Sequence, residues 1–403
     1  MKRQQNTVVR PVGWAYLILI GFTFAAAMLR DINLLMIVCC FMAGPFLLNW
    51  QTVLLTLRGI EVRRLVPHTV CAGDPLVVEL TVSNTRRRGT SWCFTVHDMI
   101  ARLGDDGRVE EAQTASVLIP RLAAGDTTTV HYQGRLARRG RYRLGSLRLA
   151  AAFPLGLVQR NRLITQHDTL IVYPQLGHLT RRWDTLFREA DQGAQHVHRR
   201  HGWQQGDFHS LRDWRHGDST RWIHWRTSAR KQQLMVRQFE QQANQDFVVL
   251  VSLLRPQRAS RVDLERVETA VSLAATIAAD VCQRGGCRCK LGIGARRPSW
   301  LDGPASTGLY DEAMRRLAMA ESTVDDVLDE LIAQAAAAST PGAHVILVTP
   351  QPVDADDFHR RAAAAGVAPP VGWANRLLIL DTSSDGLDEF FAAPDLPSEV
   401  PSP

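Results

Sequence analysis

The residues that could carry chemistry are concentrated between Leu211 and Glu240, within a longer segment spanning residues 176–240. The stretch reads LRDWRHGDSTRWIHWRTSARKQQLMVRQFE and combines many basic residues with three tryptophans and several turn formers. Buried cores contain little arginine, and disordered segments contain little tryptophan. The composition therefore predicts an ordered and mostly exposed surface, and surfaces of this kind often carry function.

One chemistry open to this segment is nucleophilic catalysis. Ser228 and His224 are four residues apart, so they would share one face of a helix. A serine with a neighbouring histidine can act as a nucleophile with its general base, which would make the protein a membrane-tethered hydrolase or peptidase. An acid that would orient His224 is not identifiable in the sequence. We therefore keep hydrolysis as the alternative and expect a non-enzymatic protein without catalytic residues.

A second possibility is a docking surface for a partner protein. Gly217 and its two neighbours predict a turn in which Asp218 or Ser219 caps a short helix that starts at Thr220. Tryptophan and arginine are enriched in the hot spots of protein interfaces. The candidate partner-binding residues are Arg212, Asp213, Asp218, Arg221, Trp225, Ser228 and Arg230.

The same residues could instead form a structural brace. In that case Asp213 and Asp218 would pair with Arg221 or Arg230 and hold the segment to the neighbouring domain. Charged pairs at such positions are commonly structural. Both interpretations stay open at the level of the sequence.

Metal and nucleotide sites are not predicted. The six histidines from His196 to His224 are irregularly spaced and lie among arginines, which oppose the binding of a cation. Cys282, Cys287 and Cys289 lie close together but lack a fourth ligand nearby. The chain contains neither a P-loop nor a GxGxxG motif where a nucleotide-binding domain would carry one. We therefore expect no cofactor and no metal.

Two long uncharged stretches precede all of these residues. Residues 12–29 and 32–50 are each about long enough to cross a membrane, and only Arg30 and Asp31 separate them. They predict a transmembrane helical hairpin within residues 1–57. A signal peptide fits less well because a second span follows at once. The outer ends of the hairpin are flanked by basic residues, namely Lys2, Arg3, Arg10, Arg58, Arg63 and Arg64.

Charge and cysteine content indicate where the soluble part resides. By the positive-inside rule, the flanking cations place both termini and the soluble domains in the cytoplasm, with membrane lipid contacted through the hairpin. The seven cysteines are odd in number and scattered, which suits a reducing compartment. The net charge of +7 is dispersed, and no nucleic-acid-binding motif accompanies it, so no nucleic-acid partner is expected.

Residues 58–175 predict an antiparallel β-sandwich-like module. The segments 75–84, 127–136 and 141–150 alternate, at least in part, between apolar and polar residues, and 170–173 is a short strand ended by a proline. Short alternating strands separated by regular turn signals are typical of sandwiches. A spacer or partner-docking role is expected of this module, because fold alone implies no chemistry.

Residues 241–390 predict a doubly wound α/β domain. Nearly continuous apolar runs at 247–254 and 344–349 are typical of strands buried on both faces, and 262–282 has helical periodicity. Strands and helices alternate along this part of the chain, which favours a mainly parallel sheet. The following residues, 391–403, are rich in proline and serine and predict a disordered tail.

The whole chain resembles the bacterial membrane proteins of domain-of-unknown-function family 58 (DUF58). The resemblance rests on the hairpin, on ARRGRYRLGSLRLAAAFPLGL, on the strand end VYP and on HGDSTRWIHWRTSARKQQLMVRQFE. His224 stands where the family often has an aspartate, which removes any acidic role there. The positions that match the family signature are Gly217, Asp218, Arg221, Ile223, Trp225, Ser228, Ala229, Arg230, Leu234 and Val236.

This resemblance implies both a fold and a role. The C-terminal domain would be von Willebrand factor A-like. The protein would be an interaction or scaffold protein of the bacterial inner membrane that works with a MoxR-like AAA+ ATPase in the assembly or activation of other proteins. Metal-binding von Willebrand A domains carry Asp-x-Ser-x-Ser after the first strand, but here Val251 replaces the aspartate and only Ser252 offers a hydroxyl. Mg²⁺ requires oxygen ligands, so a metal-dependent adhesion site is not expected.

Overall fold

A computed structural model of the protein describes most of the chain as two compact units. The described residues are 5–30, 33–104, 106–185, 207–214, 223–240, 246–340, 343–364 and 376–394, without the side chains of 207–210, 212, 237–240 and 385. The first unit ends at Tyr173 and the second begins at Pro174. Each unit is a separate body with its own core.

The first unit begins with a short strand and two long apolar helices. The strand β1 covers Gln5–Val9, and the helices α1 and α2 cover Pro11–Arg30 and Asn33–Thr56. Their large apolar side chains point outward, with Phe22 74% and Phe41 82% exposed. A core helix of a soluble protein would bury such residues. Both helices are long and apolar enough to cross a membrane, as predicted for the N-terminal hairpin.

The rest of the first unit consists of two β-sheets. One has the order β1-β10-β9-β5-β8-β11-β3, with β6 paired to β5, and the other has the order β2-β4-β7. The pairings are antiparallel except that of β11 with β3. The strands are β2 (Ile60–Leu65), β3 (Thr69–Cys71), β4 (Pro75–Asn84), β5 (Ser91–Leu103), β6 (Val109–Leu122), β7 (Thr127–Arg135), β8 (Gly140–Leu144), β9 (Leu147–Ala151), β10 (Val158–Ile164) and β11 (Asp168–Tyr173).

The two sheets enclose one hydrophobic core. Every second residue of β4 is buried, from Leu76 to Val82, and these side chains pack in the same cluster as Phe94 of β5 and Leu149 of β9. This period of two residues is what a strand with one buried face requires. The strands predicted at 75–84 and 127–136 are present. The single strand predicted at 141–150 is wrong, because β8 and β9 pair with different stretches of the long strand β5.

The end of α2 is capped by the β-sandwich. The last carbonyl groups of a helix lack partners within the helix and attract hydrogen-bond donors, above all cations. Here the side-chain donors come from the sandwich, and the backbone N–H of Arg58 also reaches the carbonyl oxygen of Leu55 at 3.1 Å. The Nη1 atoms of three arginines and one serine hydroxyl bind four successive carbonyl oxygens: Arg160 to Leu54 (2.9 Å), Arg86 to Leu55 (3.0 Å), Ser91 to Thr56 (2.8 Å) and Arg162 to Leu57 (2.8 Å).

A buried asparagine makes a second connection between α2 and the sandwich. Asn49 is fully buried, and its Oδ1 accepts hydrogen bonds from the backbone N–H groups of Leu157 (3.1 Å) and Val158 (3.2 Å). Its Nδ2 donates to the carbonyl oxygen of Ala152 at 3.5 Å. The helix is therefore tied to the sandwich about two turns before it ends as well as at its C-terminus.

A buried ion cluster joins the two sheets of the sandwich. Arg64 of β2 has a fully buried side chain and contacts Asp98 of β5 at 2.6 Å and Asp168 of β11 at 2.7 Å. The hydroxyl of Tyr132, on β7, donates to the other oxygen of Asp98 at 2.7 Å. Burial raises the pKa of Asp98, while the hydrogen bond from Tyr132 and the charge of Arg64 oppose that rise. The cluster supplies the charge compensation that buried carboxylates need.

We expect Arg64→Ala to destabilise the first unit by about 3–5 kcal/mol, because Asp98 would remain buried without its counter-ion. The matched control is Arg63→Ala, which removes an exposed cation from the same strand and should change the free energy of unfolding by less than about 0.5 kcal/mol. Thermal unfolding of the full chain in detergent would measure both. Equal midpoints for the two variants would contradict a structural role for the cluster.

The second unit is built on a five-stranded mixed sheet with the order β17-β16-β15-β18-β19. Strands β16, β15, β18 and β19 are parallel to one another, and the edge strand β17 is antiparallel to β16. The strands are β15 (Asp246–Ser252), β16 (Arg288–Gly294), β17 (Ser299–Pro304), β18 (His344–Thr349) and β19 (Leu377–Asp381). The helices with them are α4 (Arg261–Arg284), α5 (Thr307–Met319), α6 (Leu328–Ala338) and α7 (Ala355–Ala364).

Local sequence signals explain where these elements lie. Every residue of β15 is buried, as expected for a central strand covered on both faces. The helix α4 begins with a capping box: the backbone N–H of Asp263 donates to the hydroxyl of Ser260, and the Asp263 carboxylate accepts the Ser260 N–H. It ends at Gly285, whose φ of 67° suits a residue without a side chain. The mainly parallel sheet predicted for residues 241–390 is thus present, with one antiparallel edge strand.

The prediction of a disordered tail over residues 391–403 is wrong for its first residues. Strand β20 (Phe391–Ala392) pairs with β12 (His178–Leu179), and the side chain of Phe391 is fully buried. It packs on Gly177, where a Cβ atom would lie only 2.3 Å from the Phe391 ring. A large buried aromatic outweighs the polar composition around it. Residues 395–403 lie outside the described residues.

His344, at the start of β18, makes the stability of the second unit depend on pH. Its ring stacks on Phe247, and burial first, then the charge of Arg376, lowers its pKa to about 4. The unfolded chain, with a histidine pKa of about 6.5, therefore binds a proton before the folded chain does as the pH falls. Stability contributed by the neutral ring is lost between about pH 6.5 and pH 4.

We expect His344→Phe to reduce the loss of thermal stability between pH 7 and pH 5, because phenylalanine can stack on Phe247 but cannot take up a proton. The expected difference between the two proteins is on the order of 1 kcal/mol, since the ring is partly exposed to solvent. Melting curves of the full chain at both pH values would measure it. Identical pH dependence in the two proteins would contradict the prediction.

Candidate functional site

The candidate site is a short helix in the connection between two paired strands. Strands β13 (Asp207–Asp213) and β14 (Met235–Glu240) form an antiparallel pair, and helix α3 (Trp225–Lys231) precedes β14. Ile223 forms an isolated bridge with Val236, which brings the start of the helix back onto the strand. The strand pair was not predicted, because its alternation is hidden among basic residues.

Ser228 fastens the helix to β14. It is 7% exposed, and its hydroxyl oxygen accepts the backbone N–H of Met235 at 2.8 Å while donating to the carbonyl oxygen of His224 at 3.1 Å. Ile223, Met235 and Val236 are buried around it. Ser228, one of the predicted partner-binding residues, therefore holds the helix to β14 through backbone hydrogen bonds.

His224 starts the helix. Its Nδ1 accepts the backbone N–H of Thr227 at 3.3 Å, and its own backbone N–H donates to the carbonyl oxygen of Met235 at 2.8 Å. The predicted helix start at Thr220 is wrong, because Ile223 is in a β-bridge and His224 occupies the N-cap. The cap is a histidine, a residue type that sequence rules do not favour in this role.

The outer face of α3 is exposed and basic. Trp225 is 66% exposed, a large fraction for a tryptophan, and Arg226, Arg230 and Lys231 are exposed beside it. Leu234, just beyond the helix, is 45% exposed. An exposed indole on the same short helix as three cations is a composition that protein interfaces favour. We call Trp225, Arg226, Arg230 and Lys231 the α3 face.

The predicted site residues therefore have different roles. Trp225 and Arg230 lie on the exposed α3 face, and Ser228 lies beneath it. Asp213 is exposed at the end of β13, opposite Met235, and Arg212 precedes it with its side chain outside the description. Asp218 and Arg221 lie outside the described residues.

The geometry does not favour hydrolysis by Ser228. Its hydroxyl hydrogen points to backbone carbonyl oxygens, and the Nδ1 of His224 accepts a helix N–H. A general base must instead reach the hydroxyl of its nucleophile. The polar atoms of Ser228 and His224 are thus engaged in hydrogen bonds with the backbone of the helix and of β14.

Two groups of residues in the second unit are candidate metal ligands: those at the carboxyl end of β15 and the cysteines at the start of β16. Val251 is fully buried and supplies no oxygen, and the Oγ of Ser252 accepts the N–H of Leu254 at 3.4 Å. Burial raises the pKa of Cys287 to about 11 and also raises that of Cys289, so both thiols are protonated at neutral pH. Within the described part of the chain, no three His, Cys, Asp or Glu residues are arranged to hold a metal ion.

We expect Ser228→Ala to loosen α3 while leaving the rest of the second unit folded. The substitution leaves the buried N–H of Met235 without its acceptor, which corresponds to a cost of about 1–3 kcal/mol. Hydrogen exchange of peptides covering residues 223–240 should therefore accelerate roughly tenfold. Thr227→Ala, one position away, is the control and should leave exchange unchanged. Equal exchange in the two variants would show that Ser228 does not hold the helix.

Comparison with known proteins places this site inside a family match. Residues 210–320 match the family described as protein of unknown function DUF58, a span that includes α3, β14, β15 and α4. The chain is also 27% identical over 158 residues to the uncharacterized protein YeaD of Bacillus subtilis (strain 168). That alignment covers 39% of this chain and 37% of YeaD, so it spans little more than a third of the relative.

Solved structures that resemble parts of the chain do so only weakly. The C-terminal domain of wzt aligns with 12% identity and a TM-score of 0.22, covering 29% of this chain and 75% of that one. The alkylpurine DNA glycosylase AlkC of Pseudomonas fluorescens, bound to DNA containing an abasic site analog, aligns with 13% identity and a TM-score of 0.21, covering 28% and 30%. The β-glucosidase of Listeria innocua in complex with isofagomine aligns with 15% identity and a TM-score of 0.20, covering 28% and 16%. Scores this low carry no argument about function.

Proposed function

We propose that this protein is a non-enzymatic, membrane-anchored interaction protein that docks a partner through the α3 face. The observation that carries the proposal is the exposure of Trp225, at 66%, on a helix that Ser228 and His224 hold rigidly against β14. Burying such an indole in a complementary pocket releases much apolar surface from water. Because the helix is already fixed, little conformational entropy is lost on binding.

The charge of the α3 face defines the kind of partner. Arg226, Arg230 and Lys231 are exposed on the same short helix as the indole, so the partner surface should combine an apolar pocket with nearby carboxylates. From the family resemblance we propose a MoxR-like AAA+ ATPase, with this protein helping to assemble or activate other proteins. The mainly parallel sheet of the second unit supports a von Willebrand factor A-like domain beside the docking helix.

The proposed location is the bacterial inner membrane. The two apolar helices support anchoring in a bilayer, and the basic residues around the hairpin support a cytoplasmic position for both termini and both soluble parts. The membrane lipid is then contacted through the hairpin. A partner ATPase in the cytoplasm would reach the α3 face without crossing the bilayer.

The test is binding of the full chain in lipid nanodiscs to a purified MoxR-type ATPase encoded in the same genome, measured by biolayer interferometry. We expect Trp225→Ala to weaken binding by at least about thirtyfold, because truncation of a hot-spot tryptophan commonly costs 2 kcal/mol or more. Arg230→Glu should weaken binding more at low salt than at high salt, since it reverses a surface charge and salt screens such charges.

Trp92→Ala is the matched control, because Trp92 is also an exposed tryptophan, at 41%, but lies in the first unit. It should leave the affinity unchanged. Wild-type affinity in the Trp225→Ala protein would rule out the α3 face as the docking site. Labelling of the wild type by a serine-reactive probe, lost in Ser228→Ala, would instead favour the hydrolase alternative.

A further inference from the structure

The first unit contains a cleft that none of the preceding functions uses. It has a volume of about 430 Å³ and lies between strand β5, the end of β9 and the loop that leads into β10. Its walls combine one guanidinium group with small polar side chains and an apolar edge. The lining residues that matter to its chemistry are Arg10, Thr95, His97, Phe153, Leu155 and Gln159.

The cleft lies beside the membrane-proximal ends of both apolar helices. The backbone N–H of Arg10, directly before α1, donates to the carbonyl oxygen of Leu157 at 3.0 Å. A Cβ atom at Gly13, in the first turn of α1, would lie 2.2 Å from that same oxygen, so only glycine permits this approach. Asn49 of α2 binds the same loop from the other side. The loop that forms one wall is therefore fixed at the level where the helices leave the bilayer.

Aromatic residues mark that level. Trp50 and Tyr16 pack against the buried cluster of Val53, Leu157 and Val158. Tryptophan and tyrosine prefer the boundary between headgroups and acyl chains. The loop next to this cluster is thus at the depth of the lipid headgroups whenever the hairpin spans a bilayer.

The rim of the cleft is apolar where it faces the helices. Phe153 is 38% exposed and Leu155 is 51% exposed, in a loop of only a few residues. Trp14, in the first turn of α1, is 59% exposed. Exposed aromatic and aliphatic side chains beside a membrane helix fit insertion into the acyl boundary, where their contact with water ends.

The charge inside the cleft favours an anion. Among the described residues that line it, Arg10 is the only one with a full charge, and its Nη1 lies 3.6 Å from the Cβ position of Gly156. The polar lining adds the hydroxyl of Thr95, the amide of Gln159 and the imidazole of His97, whose Nδ1 lies 2.7 Å from the Ser116 hydroxyl. Arginine binds phosphate oxygens in a bidentate manner, and neutral hydrogen-bond donors can complete such a site.

We propose that this cleft binds the headgroup of an anionic phospholipid, with Arg10 at the phosphate and the acyl chains passing Phe153 and Leu155 into the bilayer. The proposal rests on the membrane anchoring that the proposed function also uses. It assigns to the first unit a lipid-recognition site that is independent of the α3 face, which belongs to the second unit.

The experiment titrates the detergent-solubilised full chain with three ligands by calorimetry: dihexanoyl phosphatidylglycerol, dihexanoyl phosphatidylcholine and inorganic phosphate. We expect saturable one-to-one binding of phosphatidylglycerol, binding of phosphatidylcholine at least tenfold weaker, and no measurable binding of phosphate, which lacks the acyl chains. Phosphate binding as tight as that of the lipid would overturn the proposal in favour of a soluble anion site. Equal binding of the two lipids would also overturn it.

Two variants test the cleft itself. Arg10→Gln should weaken phosphatidylglycerol binding about tenfold by removing the charge-assisted hydrogen bonds. Thr95→Trp should abolish binding by filling the cleft while leaving every charge in place. The control Arg58→Gln removes an exposed cation at the end of α2 that does not line the cleft, and it should bind like the wild type.

An equal loss of affinity in Arg58→Gln and Arg10→Gln would show diffuse surface attraction and overturn the site. Binding of the ATPase by the Arg10→Gln protein in nanodiscs separates this proposal from the preceding one, since the α3 face is intact. Failure of the wild type to enter nanodiscs would overturn the anchoring on which both rest.

Discussion

The first unit depends on how the apolar helix α2 ends against polar side chains of the β-sandwich. The last carbonyl groups of a helix such as α2 lack their usual hydrogen-bond donors within the helix, and a buried polar group without a hydrogen bond is costly. Three arginines and a serine of the sandwich provide the missing donors, and the arginines also complement the negative end of the helix dipole. Asn49 makes the same kind of connection earlier in the helix. These contacts make hairpin and sandwich one body.

That connection places further demands on the sandwich. Strand β2 follows α2 directly, and β10 follows the loop that Asn49 binds, so the register of both strands must be held firmly. The Arg64 cluster provides this by crossing from the smaller sheet to Asp98 and Asp168 of the larger one. Buried ion pairs add little net stability, but their geometric requirements select one arrangement of the sheets. The second unit uses a similar device, since Lys290 of β16 reaches Asp246 of β15 at 2.5 Å and the carbonyl oxygen of Ala338 at 2.8 Å.

The segment around α3 combines an inner side that holds the helix in place with the exposed outer side that we propose as a docking surface. On the inner side, the polar atoms of Ser228 and His224 form hydrogen bonds with backbone groups of the helix and of β14. On the outer side, Trp225 and its basic neighbours are left to solvent. A rigid helix suits the proposed docking, because a surface that is already ordered loses little entropy on binding.

Much of the architecture was predictable from the sequence because it depends on local patterns. The hairpin follows from two uncharged stretches, β4 from partial alternation of apolar and polar residues, and β15 and β18 from continuous apolar runs. The capping box at Ser260 marks the start of α4. Each of these signals lies within a dozen or so neighbouring residues, and each reports which faces of an element are buried.

Other features could be recognised only in the tertiary structure. The pairing of β13 with β14, the ordering of Phe391 against Gly177, and the capping of α2 by arginines up to 106 residues away all join distant parts of the chain. In the sequence, Arg160 and Arg162 look like any surface cations, and Ser228 looks as suited to catalysis as to bracing. Local sequence patterns were enough to predict most of the long elements and their apolar faces. The hydrogen-bond partners of the polar atoms became visible only in the folded structure, because those partners are distant in the chain and close in space.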